Sequence, residues 1–175
     1  LLRACEQFVP IAIKMGVDNA KVNGCPVVFI PLHKGADGFM SDQQFKKFYW
    51  PTLKATMEGL LAEGCIPFPW AEGGYNSRLD VIKDSPEGVF WGFDKVDMVK
   101  AKKILSGRCA IGGNFPISVL SVGTKDDVIT EVKKQLKQCA DGGGYILLTG
   151  ATVDDIPPVN VKTMIDACKE YGVYK

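Results

Sequence analysis

The sequence predicts an α/β fold: a (β/α)₈ TIM barrel, of which residues 1–175 form one domain, the C-terminal portion with about five βα units. Three observations predict it. Apolar runs of about five or six residues recur along the 175-residue chain, the length of strands buried on both faces. Segments with helical spacing separate them, an alternation that gives a parallel sheet with helical crossovers. Polar residues gather just after these runs and hardly before them, as in barrels whose chemistry lies at the C-terminal face of the strands. A doubly wound open sheet obeys a similar rule, but no G-x-G-x-x-G helix start follows the first run. A barrel needs about 250 residues, so roughly three N-terminal strands are expected to be missing. The chain opens without methionine on a segment that is already helical in pattern, which reads as a piece of a longer protein.

Composition narrows the class. Hydrophobic residues make up 46% and charged residues 23%, as in an ordinary globular protein with a real core. Lysine and arginine total 21 against 20 acidic residues, so the net charge of +1 gives no electrostatic reason to expect nucleic acid or an anionic membrane as partner. A small-molecule substrate fits better. The six cysteines are dispersed with no Cys-x-x-Cys pair, consistent with reduced thiols in a cytoplasmic protein. No run approaches the about 20 apolar residues of a membrane span.

In chain order, Leu1 to Gly16 reads as an amphipathic helix stopped by Gly16, with Pro10 as a kink. Val27 to Pro31 is the first strand, and Leu32 to Met40 a glycine-rich polar loop. Ser41 with Gln44 is a capping-box pattern for a long helix ending near Gly64, bent or split at Pro51. Cys65 to Trp70 is the second strand and Ser77 to Ile82 a short amphipathic segment. Gly88 to Asp94 is the third strand, followed by a helix from about Val96 to Leu105 and a fourth strand from Arg108 to Gly112. Thr124 caps a helix to about Cys139 with Asp127 in its first turn. Tyr145 to Thr149 is the fifth strand, and Pro157-Pro158 opens the last helix.

The stretch Trp70 to Leu79, Trp-Ala-Glu-Gly-Gly-Tyr-Asn-Ser-Arg-Leu, concentrates the chemistry at a strand's C-terminal end. Glu72 is the first catalytic candidate, because a carboxylate there is expensive to desolvate unless it meets a cation, a metal or a substrate. Its plainer role is a pair with Arg78. His33, the only histidine, suits proton transfer or metal binding, so Glu72 and His33 are also the metal candidates. Asp94 and Asn114 hold matching strand-end positions; they either orient a substrate or bond their own loops. Tyr75 and Arg78 suit an aromatic or carboxylate-bearing ligand, although Arg78 beside Asp80 on a helix surface is the simpler account. Trp70 is pocket wall or core.

Gly143-Gly144-Tyr145-Ile146-Leu147-Leu148, the segment Ile156-Pro157-Pro158-Val159-Asn160 and the tail Asp166 to Gly172 resemble the end of the uroporphyrinogen decarboxylase superfamily. So does Gly112-Gly113-Asn114-Phe115-Pro116 with the later Gly123-Thr124. The resemblance implies a (β/α)₈ barrel and one of two chemistries: decarboxylation of uroporphyrinogen, or methyl transfer in concert with corrinoid proteins. The decarboxylase's histidine before Pro-Pro-x-Asn falls at Gly150. The zinc-binding His-x-Cys pair of the thiol-directed methyltransferases falls at Trp70 and Glu72, and their later cysteine again at Gly150, so zinc lacks its usual ligands. Glu-Gly-x-Tyr-x-x-Arg-Leu looks more like a branch grouped with corrinoid-dependent demethylation. The resemblance thus implies a methyltransferase moving a methyl group between a small methylated compound and a corrinoid on a partner protein, with Glu72, His33 and Asp94 as its acid–base groups. The alternatives are uroporphyrinogen decarboxylase itself and a non-catalytic tetrapyrrole- or corrinoid-binding barrel.

Overall fold

The computed structural model describes residues 1–153 and 155–174. Five strands form a single sheet in the order β1-β2-β3-β4-β5, every neighbouring pair parallel. They are β1 (Val27–Pro31), β2 (Ile66–Gly74), β3 (Phe90–Lys95), β4 (Ala110–Gly113) and β5 (Tyr145–Ile146). A doubly wound sheet reverses its strand order at a switch point. This one runs in sequence order throughout, as in an arc of a barrel wall.

Strand alternation explains what the sheet buries. On the outward face, Ala71, Trp91, Phe93, Ile111 and Tyr145 are buried with Leu53, Met57, Leu79, Ile82 and Leu105 from the flanking helices in one core cluster. On the inward face, Val27, Phe29, Ile66 and Ile146 are exposed, and Phe68, Trp70 and Phe90 are half-buried. Phe68 stacks on Phe90 with ring centroids 4.4 Å apart. The inward face is therefore apolar, aromatic and uncovered by any described residue, as the inside of an incomplete barrel must be.

The helices are α1 (Leu2–Asn23), α2 (Asp42–Gln44), α3 (Trp50–Ala62), α4 (Leu79–Ile82), α5 (Met98–Leu105), α6 (Ile117–Val122), α7 (Lys125–Cys139) and α8 (Pro158–Tyr171). Gly16 does not stop α1, which continues to a left-handed cap at Gly24. The physical reason is packing: a Cβ on Gly16 would meet Leu60 Cδ2 at 2.8 Å and Val28 Cγ1 at 2.9 Å. Gly16 is a close-approach residue where α1 crosses α3 and β1, and its cost in helix propensity of about 1 kcal/mol is outweighed by that contact.

The Ser41–Gln44 capping box forms in full. A π-helical turn, Phe45–Tyr49, then separates α2 from α3, which carries Pro51 in its first turn. The wider turn accommodates the missing proline N–H. The fifth strand is shorter than expected, since Tyr145–Ile146 alone pairs regularly and Thr149 makes an isolated bridge to Phe115. The six-residue α6 is an addition to the expected elements, because nothing but its own apolar residues distinguishes Ile117–Val122 from a loop. No helix among the described residues is long and apolar enough to cross a membrane.

Candidate active site

The C-terminal strand ends bring His33, Glu72, Asp94 and Asn114 to one edge. β1 ends at Pro31, and Leu32 N–H donates to Trp70 O at 3.0 Å, which sets His33 beside the end of β2. There His33 Nδ1 and Glu72 Oε2 are directly hydrogen-bonded. Their side chains are 64% and 51% exposed, so the pair is open to an incoming molecule. Glu72 thus meets His33, not Arg78.

A bulge aims Glu72. Ala71 pairs with Phe93 and Gly74 with Lys95, so β2 takes three steps where β3 takes two, and Glu72 and Gly73 together face Asp94. Gly73 adopts φ 79°, which a side chain would resist. Its N–H donates to Asp94 Oδ2 at 2.9 Å. Asn114 Nδ2 donates to Val96 O at 2.9 Å. Asp94 and Asn114 thereby each tie down the end of the preceding strand rather than their own loops, and both also line a cavity of about 570 Å³ with Asn76, Lys95, Phe115 and Gly150. A side chain at 150 would crowd this cavity, since a Cβ there lies 3.1 Å from Asp94 O and 3.5 Å from Asn114 Cβ.

Tyr75 and Arg78 lie elsewhere. Arg78 is 1% exposed. Its guanidinium donates to Gly35 O at 3.1 Å and Ala36 O at 3.2 Å, to Met40 O, and to Asp42 Oδ1. It also lies over the Phe45 ring, 4.8 Å from its centroid. Tyr75 is fully buried and its hydroxyl donates to Leu32 O at 3.1 Å. Burial pushes the Tyr75 phenol far above its ordinary pKa, and that of neighbouring Tyr49 up to about 12. Neither phenol is a proton shuttle near neutral pH. These two expected substrate contacts instead fasten the loop that carries His33, and Arg78 takes Asp42 as its carboxylate partner in preference to Asp80. Asp37, whose carboxylate accepts from Ser77 Oγ at 2.8 Å, completes the fastening.

Trp70 stands on the inward face directly below Glu72, half-buried, its ring edge-on to Phe68 at 5.9 Å and 87°. The donor set does not fit a thiolate-held zinc. Trp70 and Gly150 offer no ligand atom, and among the described residues no three His, Cys, Asp or Glu side chains gather as a metal site requires. His33 and Glu72, the other metal candidates, are hydrogen-bonded to each other.

A parallel arc of strands in sequence order, with polar groups at one edge, defines an α/β-barrel protein with a strand-end site. The uroporphyrinogen decarboxylase (URO-D) family model matches residues 4–171, and the chain belongs to that family. Among curated relatives, the chain is 28% identical over 139 residues to uroporphyrinogen decarboxylase of Chlorobium limicola, covering 75% of this chain and 38% of that protein. It is 31% identical over 131 residues to the Legionella pneumophila enzyme of the same name, covering 73% of this chain and 32% of that protein. Among solved structures, a methyltransferase from Methanosarcina mazei superposes with a TM-score of 0.81 at 22% identity, covering 99% of this chain and 50% of that one. The chain thus spans about a third to a half of the length of these proteins, and the structural likeness establishes the fold.

Proposed function

We propose that the protein is a methyltransferase that takes a methyl group from a small methylated compound and delivers it to a corrinoid held by a partner protein. The observation that carries this reading is the His33–Glu72 pair, a hydrogen-bonded acid–base couple exposed at the strand ends. A reduced corrinoid supplies an electron-rich cobalt that accepts methyl groups. The exposure of the pair leaves room for so large an acceptor to approach, and the remaining strands of the barrel close the apolar inner face. Glu72 and His33 hold a proton at the leaving atom of the donor, and Asp94 keeps the bulge in place through Gly73 N–H. The family membership and the methyltransferase among the structural neighbours support the reading.

A second reading is favoured by the names of the curated relatives, which are uroporphyrinogen decarboxylases. Against it stands Gly150, where the resemblance puts the decarboxylase's histidine. The two are separated by incubating the full-length protein with reduced cobalamin and methanol, methylamine or 2-methoxyphenol, and separately with uroporphyrinogen. Methyl transfer from one of the donors supports the proposal. Coproporphyrinogen formation without methyl transfer overturns it, and cobalamin binding with neither reaction identifies a non-catalytic barrel.

A further inference from the structure

We propose that the cavity at the ends of β3, β4 and β5 binds an N-methylated amino acid, with its ammonium against Asp94 and Asn114 on the floor and its carboxylate against Lys95 and Asn76 at the mouth. This rests on the methyl-transfer reading and names its donor class.

The cavity belongs to the strand ends and not to the inward sheet face. Its walls come from the turn after β2 and from the segments that close β3 and follow β4 and β5. Gly150, itself buried, keeps the floor open, since a Cβ there would lie 3.4 Å from Asp94 Oδ1. Any side chain at 150 would start against that oxygen, and glycine leaves the oxygen to a ligand.

An account of lone pairs and protons fixes what each polar group still offers. Asp94 Oδ2 accepts Gly73 N–H at 2.9 Å, so Oδ1 is the free acceptor. Asn114 has its nitrogen against Val96 O at 2.9 Å, because a carbonyl can only accept, and its Oδ1 remains as a second acceptor. Both residues are half-buried. The mouth has the opposite character. Asn76 Oδ1 accepts Asp97 N–H at 2.9 Å, which leaves its Nδ2 as a donor. Lys95 makes no ion pair among the described residues. Both of these residues are exposed. Asp97, also at the mouth, is engaged as the cap of α5, its Oδ1 accepting Lys100 N–H at 3.0 Å.

Acceptors thus lie inside and donors outside. The floor matches an ammonium and the mouth matches a carboxylate, through charge-assisted hydrogen bonds at both ends. A zwitterion satisfies both, and the apolar walls at Phe115 and Ile117 leave room for a side chain.

This orientation brings the donor nitrogen to the acid–base pair. Asp94 stands across the bulge from Glu72 and Gly73, one strand spacing of about 4.8 Å away. A methyl group leaving a neutral amine would leave an amide anion, whereas one leaving an ammonium leaves a neutral amine. Glu72 with His33 therefore keeps the nitrogen protonated, and Asp94 Oδ1 accepts one of its N–H groups. In the step, the N–CH₃ bond breaks with its electron pair retained by nitrogen. The carbon passes to a two-electron nucleophile, the reduced corrinoid of the partner. The product is the demethylated amino acid, released as the neutral amine and reprotonated by solvent.

The test uses the full-length protein with N-methylglycine as donor. Methylamine, which lacks the carboxylate, and methoxyacetate, which lacks the cation, are the comparison ligands. Binding is followed by calorimetry, and transfer to free reduced cobalamin by the appearance of glycine. The proposal expects glycine formation, and N-methylglycine bound at least about fivefold more tightly than either comparison ligand, a result that needs no variant to fold. It also expects Lys95→Met, a change at an exposed position, to weaken N-methylglycine about fivefold and methylamine less than about twofold. Equal affinity of the wild type for N-methylglycine and methylamine, or an equal loss for both ligands in Lys95→Met, overturns it. Methyl transfer from methanol, methylamine or 2-methoxyphenol with N-methylglycine inert overturns the donor class and leaves the methyl-transfer reading standing. Coproporphyrinogen formation without methyl transfer from any donor overturns both.

Discussion

His33 Nδ1 and Glu72 Oε2 share a hydrogen bond across 39 positions of sequence. One residue comes from the loop after β1 and the other from the bulge of β2. A pair that holds one proton between two groups works as a unit, and units are non-additive on mutation. Glu72→Gln and His33→Ala are each expected to lower kcat for methyl transfer, by about 10²-fold or more for the carboxylate. The double variant should be little slower than Glu72→Gln alone. Independent, multiplying losses in steady-state rates would show that the two residues act separately.

Arg78 is predicted to be structural. Truncating it strips partners from three backbone carbonyls and from Asp42. Arg78→Met should destabilise the full-length protein by about 3 kcal/mol, read from the urea midpoint. Asp42 is largely exposed and can rehydrate, which keeps the loss from being larger. Arg78→Lys should restore little, because an ammonium cannot reach carbonyls and a carboxylate spread around a planar fork.

Gly35 is the tightest point of the same loop. A Cβ there would sit 2.0 Å from the Tyr75 hydroxyl and 3.1 Å from a Tyr49 ring carbon. Gly35→Ala therefore has to displace the Tyr75–Leu32 hydrogen bond, and with it the segment that places His33. Faster proteolysis within residues 32–40 and a fall in kcat are expected together. A variant with full activity and unchanged cleavage would show that the loop adapts without moving His33.

The cap of α7 gives the protein a defined acid sensitivity. Hydrogen bonds from the Thr124 side chain and backbone hold the Asp127 carboxyl below its ordinary value. A carboxylate with a lower pKa folded than unfolded stabilises the fold at every pH above the unfolded value of about 3.9. That contribution is lost as pH falls through the folded value. Thr124→Ala should lower stability at pH 7. The gap between wild type and variant in denaturant midpoints should narrow from pH 5 to pH 2.

Much of the fold was legible because its signals are local. Thr124 with Asp127 marked the start of α7, and β1 emerged at its expected bounds, Val27–Pro31. Gly16 misled because a glycine at a helix crossing and a glycine at a helix end look alike in sequence, and the partners that distinguish them, Leu60 and Val28, are remote.

The site was legible as a set of residues and not as a set of contacts. His33 and Glu72 could each be nominated from residue type and strand-end position, but their meeting depends on parallel register and on a one-residue bulge. Arg78 showed the opposite failure. Its sequence neighbour Asp80 suggested a surface pair, whereas its partners lie 36 to 43 positions upstream.

The most direct measurement is the rate at which the full-length protein and its Glu72→Gln variant methylate free reduced cobalamin from N-methylglycine. The proposed mechanism predicts methyl transfer by the wild type and a loss of about 10²-fold or more in the variant, with donor affinity retained. Equal rates for the two proteins would contradict the role given to Glu72, and no transfer by the wild type from any methyl donor would contradict the methyltransferase assignment itself.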